Sequence, residues 1–363
     1  MIQPGLKGII ATETSISHVD GEKGQLIYRG YNASYLAEHY SFEEVAFLLW
    51  EGYIPNEQEL NSLKRKMSGY RTIPTYIEKI LLTLPHDMDL MSVLRTVVSS
   101  LSSPTFYLRE PKEQAIQITA MLPTVIGYRK NQLEDTSMPE IPEEVDFVDY
   151  YLRVLTGRKP NNYHKKALET YFILTMDHGL NASTFAARVT TSTESDLVSA
   201  VTSAIGTMKG PLHGGAPTGV IQLLDDVMED GNTDDVIRTK LKNGEKLMGF
   251  GHRVYRTIDP RAEVLKHRLK QLAGKDAWLD LAINVEQKAI QLLNEWKPGR
   301  RLYTNVEFYA AAIMKAIDME PAYFTPTFTA SRVVGWTAHC LEQSMNNTIF
   351  RPQSKYIGPP VQV

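Results

Sequence analysis

The sequence predicts an all-α fold of two unequal domains with a small β-hairpin near its start. Three observations carry that expectation. Apolar residues recur at helical spacing from Ser41 onward, between recognisable caps. Thr14 to Val19 alternates as a strand does, Asp20-Gly21 supplies turn chemistry, and Gln25 to Tyr28 can return. The texture then changes after Gly206, where glycines and basic residues gather as far as Arg261.

The elements follow in order. Ser41-Phe42-Glu43-Glu44 is a capping box, Val45 to Trp50 is the apolar run behind it, and Gly52 stops the helix. Pro55-Asn56 opens the next helix and Gly69 closes it; Pro85 ends a third, and Met88 to Leu101 has helical spacing. Asn131 to Pro142 is polar with two prolines and reads as a surface loop. Pro217 suits the first turn of a helix over Thr218 to Met228. Helices resume at Pro260 to Leu272 and Trp278 to Trp296, and the Pro298-Gly299 turn leads to Asn305. Residues 216–318 are expected to form a small domain, and residues 1–215 with 319–363 a large one. There is no internal repeat and no low-complexity tract.

The totals bound the function. A chain of 363 residues that is 43% hydrophobic can bury a large core. A net charge of -3 gives no general attraction to nucleic acid or membrane, so an anion site must come from local clusters. The single cysteine, Cys340, excludes an internal disulfide framework and a cysteine-rich zinc site, and fits a reducing cytoplasm. Met1 to Gly8 lacks the blocks of a signal peptide, and no apolar run approaches the ~18 residues of a membrane span.

Three of the nine histidines sit against a glycine, which lets a ligand come close to the ring: His178, His213 and His252. His213, in Gly210-Pro211-Leu212-His213-Gly214-Gly215, precedes a helix N-terminus, whose dipole lowers the ring's pKa. A neutral imidazole there can donate a hydrogen bond to a developing oxyanion. A buried histidine bonded to a carbonyl is an equally open reading. His178, in Asp177-His178-Gly179-Leu180-Asn181-Ala182-Ser183, offers another donor. His252 follows Gly249-Phe250-Gly251 in a loop that also holds Lys246, Arg253 and Arg256, a suitable cradle for phosphates. Asp259 is a plausible N-cap and Pro260 the first helical residue, which puts Arg261 in the first turn, where a cation is disfavoured by roughly 0.3–1 kcal/mol. A bound carboxylate would explain it. A solvated basic face is the plainer alternative.

Glu307 opens a helix at Asn305-Val306-Glu307, where an acid stabilises the dipole in any case. As a general base it would remove a carbon-bound proton, with His213 as the electrophile that stabilises the enolate. Three histidines and an acid could also bind zinc, but no His-x-x-x-His or His-Glu-x-x-His pair is present and the neighbouring arginines repel a cation.

At these residues the chain resembles citrate synthase, of the short bacterial and archaeal type that includes 2-methylcitrate synthases. The resemblance runs over nearly the whole length, from Gly5-Leu6-Lys7-Gly8-Ile9 and Asp20 to Tyr31, through Ser41 to Trp50, Val93 to Thr96, Asp177 to Ser183 and Gly210 to Gly214, to Gly249 to Arg261 and Arg351-Pro352. It implies an all-α homodimer whose large and small domains close over substrate, condensing acetyl-CoA with oxaloacetate without metal or redox cofactor. By position, His213 matches the histidine that polarises the thioester carbonyl, and His252 the one that bonds and protonates the oxaloacetate ketone. His178, Arg261 and Arg332 match oxaloacetate ligands, and Arg351 the arginine supplied by the partner subunit. Lys246, Gly249, Phe250, Gly251, Arg253 and Arg256 fall in the coenzyme A loop. The chain lacks the extra N-terminal region of the long NADH-regulated hexamers, which implies a dimer free of that regulation.

One residue departs from the pattern. The family's aspartate base is here Glu307, in Asn305-Val306-Glu307. The added methylene moves the carboxylate by about an ångström, a displacement that can cost around 10²-fold. The expectation is a working but slower enzyme, with propionyl-CoA as the alternative substrate. A weakly active paralogue that senses oxaloacetate or CoA is the alternative of another class, and a zinc hydrolase the remotest.

Overall fold

In the computed structural model, which describes residues 3–214, 216–252, 254–270, 277–300 and 302–359, the chain opens with an antiparallel sheet. β1 (Ser17–Asp20) pairs with β2 (Gln25–Tyr28), Ser17 facing Tyr28 and Asp20 facing Gln25. The expected hairpin is therefore present, although β1 starts at Ser17 and not at Thr14. A third strand, β3 (Tyr31–Asn32), adds to β2; two residues are too few to leave an alternating signal in the sequence.

Helices follow, most of them begun by a side chain that satisfies a free N–H. Asn32 caps α1 (Ala33–His39). The capping box of α2 (Phe42–Glu51) forms as predicted: Ser41 accepts from the Glu44 N–H, Glu44 accepts from the Ser41 N–H at 2.7 Å, and Gly52 ends the helix in the left-handed conformation. Asn56 and Glu59 make a second box for α3 (Glu57–Gly69). α4 (Thr75–Thr83) stops before Pro85, Asp89 caps α5 (Leu90–Ser99), and a single turn forms α6 (Pro104–Tyr107). α7 (Pro111–Leu133) takes in the first residues of the expected 131–142 loop. Asn131 is buried there and donates to the Gly127 carbonyl at 2.8 Å, so a residue that looked like loop chemistry extends a helix. Asp146, Asn161, Asn181 and Asp196 then cap α8 (Phe147–Thr156), α9 (Asn162–Thr175), α10 (Ala182–Ser192) and α11 (Leu197–Met208).

The remaining helices are α12 (Ala216–Asp230), α13 (Thr233–Lys242), α14 (Pro260–Lys270), α15 (Ala277–Trp296), α16 (Val306–Ala316) and α17 (Phe324–Met345). α17 lies at the centre of the large helical layer, against α2, α7, α9, α10 and α11, and is buried almost throughout. Trp336 on it is fully enclosed. α12 to α16 pack chiefly on one another, while α14 and α16 also touch α9. That contact brings the starts of α14 and α16 to the end of α9, where the Asp177-His178 turn begins. Among the described residues no helix is long and apolar enough to cross a membrane.

The α2 cap offers a direct check on this local physics. Ser41→Ala should lower the unfolding free energy by about 1 kcal/mol, read as a lower denaturant midpoint with an unchanged slope.

Candidate active site

Four side chains meet at the end of α9. His178 Nε2 lies 3.2 Å from the Tyr255 hydroxyl, and its ring centroid is 5.5 Å from that of His252. His252 and Tyr255 are 4.8 Å apart, and Arg261 Nη2 lies 3.3 Å from His252 Nε2. The loop before α14 folds so that the Val254 and Tyr255 N–H groups both donate to His252 Nδ1, each at 3.1 Å. A nitrogen that accepts two hydrogen bonds carries no proton, so the proton of the neutral ring sits on Nε2, on the side that faces Arg261. Burial and then the Arg261 charge push the His252 pKa down to about 4. Burial, Arg261, His252 and Arg332 hold His178 well below the usual range too.

Arg261 is almost fully buried. The cation at the helix N-terminus has a partner in its own chain. Asp259 caps α14 through the Arg261 N–H at 3.0 Å, and accepts from Arg261 Nε at 3.0 Å and Nη2 at 2.8 Å. A bound ligand is therefore not needed to explain why an arginine sits there. Arg332, on α17, is equally buried. Its Nε donates to the Thr175 carbonyl at 2.6 Å, and its guanidinium covers the Phe328 ring. It has no carboxylate within salt-bridge distance among the described residues, and its charge reaches His178, His213 and Glu307.

His213 stands on the tight turn ahead of α12, with Nε2 2.7 Å from Ser183 Oγ. Ser183, fully buried, also accepts from Trp336 Nε1 at 3.0 Å. The one Ser183 proton has two acceptors in reach, Asn181 Oδ1 at 2.8 Å and His213 Nε2; turned to Nε2, it leaves the His213 proton on Nδ1, where it can be donated. Its pKa is pushed down to about 4, by burial first and Arg332 second. The neighbouring glycine has another purpose as well. A Cβ on Gly214 would lie 2.3 Å from the Met208 carbonyl oxygen, so close backbone packing also calls for a glycine there. Ser183 was within reach of sequence reasoning, next to the Asn181 cap, but a serine at a helix start has too ordinary an explanation.

Glu307 lies in the first turn of α16, with its N–H donating to Asn305 Oδ1 at 3.0 Å. The start of that helix is tied to the His252 loop. Gly251 N–H donates to the Tyr303 carbonyl at 2.7 Å, Asn305 N–H to Gly249 O at 2.9 Å, and Asn305 Nδ2 to Gly251 O at 2.8 Å. Burial raises the Glu307 pKa to about 7 against the opposing pull of Arg261 and Arg332. No hydrogen bond joins Glu307 to His213 among the described residues; Arg332 is their shared electrostatic neighbour.

The other expected residues divide. Lys246 and Arg256 are exposed. Phe250 instead packs on Phe308 at 5.2 Å, and Gly249 is buried beneath it. Arg253 lies outside the described residues. Arg351 is exposed on the tail after α17 and joins none of these contacts. Among the described residues no three His, Cys, Asp or Glu side chains gather closely enough to hold a metal ion.

The chain matches the family described as citrate synthase, C-terminal domain, over residues 5–353. It is 37% identical to citrate synthase 2 of Bacillus subtilis over 99% of this chain and 96% of that one. It is also 37% identical to the 2-methylcitrate synthase of Shewanella oneidensis, over 98% and 94%. Among solved structures it resembles citrate synthase from Thermotoga maritima, with a TM-score of 0.88 and 35% identity, covering 100% and 98% of the two chains. It resembles with a TM-score of 0.89, at 28% identity and the same coverage, the Thermoplasma acidophilum citrate synthase in ternary complex with carboxymethyl coenzyme A and oxaloacetate.

A depressed histidine pKa has a definite sign: the ring stays neutral until the pH falls far below 6.5. In nitrogen-detected NMR of the folded protein, His213 and His252 should remain neutral at pH 5.5. A midpoint near 6.5 for either would contradict their burial beside arginine.

Proposed function

The chain belongs to the citrate synthase family, and from that premise we propose that it condenses acetyl-CoA with oxaloacetate and water to give citrate and CoA. One observation carries the reading: the neutral His178 and His252 meet the buried Arg261, with Arg332 and the acid Glu307 in electrostatic range. Arginines suit a dicarboxylate, neutral imidazoles suit an enol, and a carboxylate with a pKa of about 7 suits proton abstraction at neutral pH.

In this mechanism Arg261, Arg332 and His178 hold oxaloacetate, and Arg351 from a partner subunit completes the clamp in a homodimer. His213 donates to the thioester carbonyl while Glu307 takes a proton from the adjacent methyl. The resulting enol attacks the ketone carbon, and His252 gives its Nε2 proton to the ketone oxygen as the carbon–carbon bond forms. The proton taken by Glu307 returns through solvent to His252, and water then cleaves the thioester, its protons going to the CoA thiol and to solvent as citrate forms. The loop from Lys246 to Arg256 receives CoA, with Lys246 and Arg256 facing its phosphates and Gly249, Phe250, Gly251 and Arg253 shaping the path. Residues 216–318 close as a small domain over residues 1–215 and 319–363. Side chains and water supply every proton and charge in this scheme, without metal or redox cofactor, in a cytoplasmic enzyme. Propionyl-CoA giving 2-methylcitrate is the second reading, favoured by the Shewanella relative's equal identity. One methylene is worth only ~1–3 kcal/mol in discrimination.

Thiol release from acetyl-CoA and propionyl-CoA, with and without oxaloacetate, tests both. Oxaloacetate-dependent release is expected, faster with acetyl-CoA; none with either thioester would overturn the proposal. Glu307→Gln should lower kcat by roughly 10²–10⁴-fold while oxaloacetate still binds. Because the base must be ionised, wild-type kcat/KM should rise with pH and level off above about 7, the pKa to which burial raises Glu307. Glu307→Asp should hold or raise turnover; a sharp fall would mean that the backbone here has adapted to the longer acid.

A further inference from the structure

The N-terminal sheet touches both sides of the site. On one side, Ser17 Oγ donates to Asp177 Oδ2 and accepts from the Gly179 N–H at 3.2 Å, and the Tyr28 hydroxyl donates to the Asp177 carbonyl at 2.8 Å. These bonds hold the turn that carries His178 from before and behind. On the other side, the tip of the hairpin lies against the loop of His252. The Arg256 N–H donates to the Gly21 carbonyl at 2.8 Å, a Cβ on Gly21 would stand 2.4 Å from the Val254 oxygen, and one on Gly24 2.9 Å from the Ile258 oxygen. Val254 and Tyr255 are the residues whose N–H groups fix the His252 ring.

We propose that the hairpin is a positioning element for the active site: Ser17 and Tyr28 set the His178 turn, Gly21 sets the His252 loop, and the strands between them fix the spacing of the two rings. Gly21 is the sharpest point of the device. Its backbone lies outside the left-handed region, so an alanine there escapes that strain, and its Cβ would meet Val254, 2.4 Å from the carbonyl oxygen and 3.2 Å from Cγ1. To make room, that carbonyl must withdraw, and the N–H groups that orient His252 move with it. Displacements near an ångström at a reacting centre cost around 10²-fold. The importance of the spacing rests on the roles proposed above for the two histidines, but the spacing itself can be read without turnover.

The test is Gly21→Ala in the full-length protein labelled with nitrogen-15 histidine. The ring signals of ligand-free protein are assigned through His178→Gln and His252→Gln, and oxaloacetate-dependent thiol release is measured alongside. Gly21→Ala should shift the His252 ring nitrogens and lower kcat roughly 10²-fold, with the melting temperature nearly unchanged. Gly30→Ala is the control. It strains the same sheet, at φ 88°, but its Cβ would meet nothing within 4 Å. It should lower stability, leave the ring signals in place and keep kcat within a small factor. Unmoved His252 signals in Gly21→Ala, or equal shifts in Gly30→Ala, would overturn the proposal. Should Gly21→Ala fail to fold, Ser17→Ala tests the other arm, where the His178 nitrogens must shift and unchanged signals overturn it. Shifted rings in a chain whose wild type releases no thiol would sink the proposed activity and leave the positioning role standing.

Discussion

A carboxylate taken out of water needs every lone pair occupied, and at Asp259 four donors do so. Oδ1 accepts the Arg261 N–H and Nε, and Oδ2 accepts Arg261 Nη2 and the Val306 N–H at 3.1 Å. With both partners buried, the ion pair gains little net stability, but breaking it would leave a bare charge in the interior, at a cost of ~3–5 kcal/mol. The arrangement is therefore enforced more than it is stabilising. It caps α14, it aims the guanidinium at His252, and through Val306 it anchors the first turn of α16, one residue before Glu307. Three parts of the site share one carboxylate.

That pair also settles the protonation of the site. Arg261 is neutralised by Asp259 at close range, yet its charge still lowers His252 and His178. Arg332 adds a second positive charge. Its nearest compensation is Asp177, which burial would protonate but which His339, 3.2 Å away, and Arg332 hold below the usual carboxylate range. Burial and these charges together hold His178, His213 and His252 below the usual imidazole range, so each ring is neutral near pH 7.

Much of this was legible in the sequence because the signals were local. The capping box at Ser41, the helix opening at Pro55-Asn56 and the Asp259-Pro260 start are written within four residues, and the structure has them all. The three histidines and Glu307 were singled out by glycine neighbours and by a helix start. What escaped depends on long-range approach. Asp259 was read as a cap but not as the partner of Arg261, since a side chain serving both roles has no separate pattern. The third strand is two residues long. Gly21 looked like turn chemistry, and only its contact with Val254, distant in sequence, gives it another reason to be glycine.

The glutamate at position 307 then acquires a physical account. An unperturbed glutamate, near 4.3, is too weak a base for a carbon acid. Burial raises this one to about 7, and Arg261 and Arg332 are what keep it from rising further. Those same arginines are the ones proposed to receive oxaloacetate. A bound dianion would offset their charge, remove the restraint on Glu307 and strengthen it as a base only when the second substrate is in place.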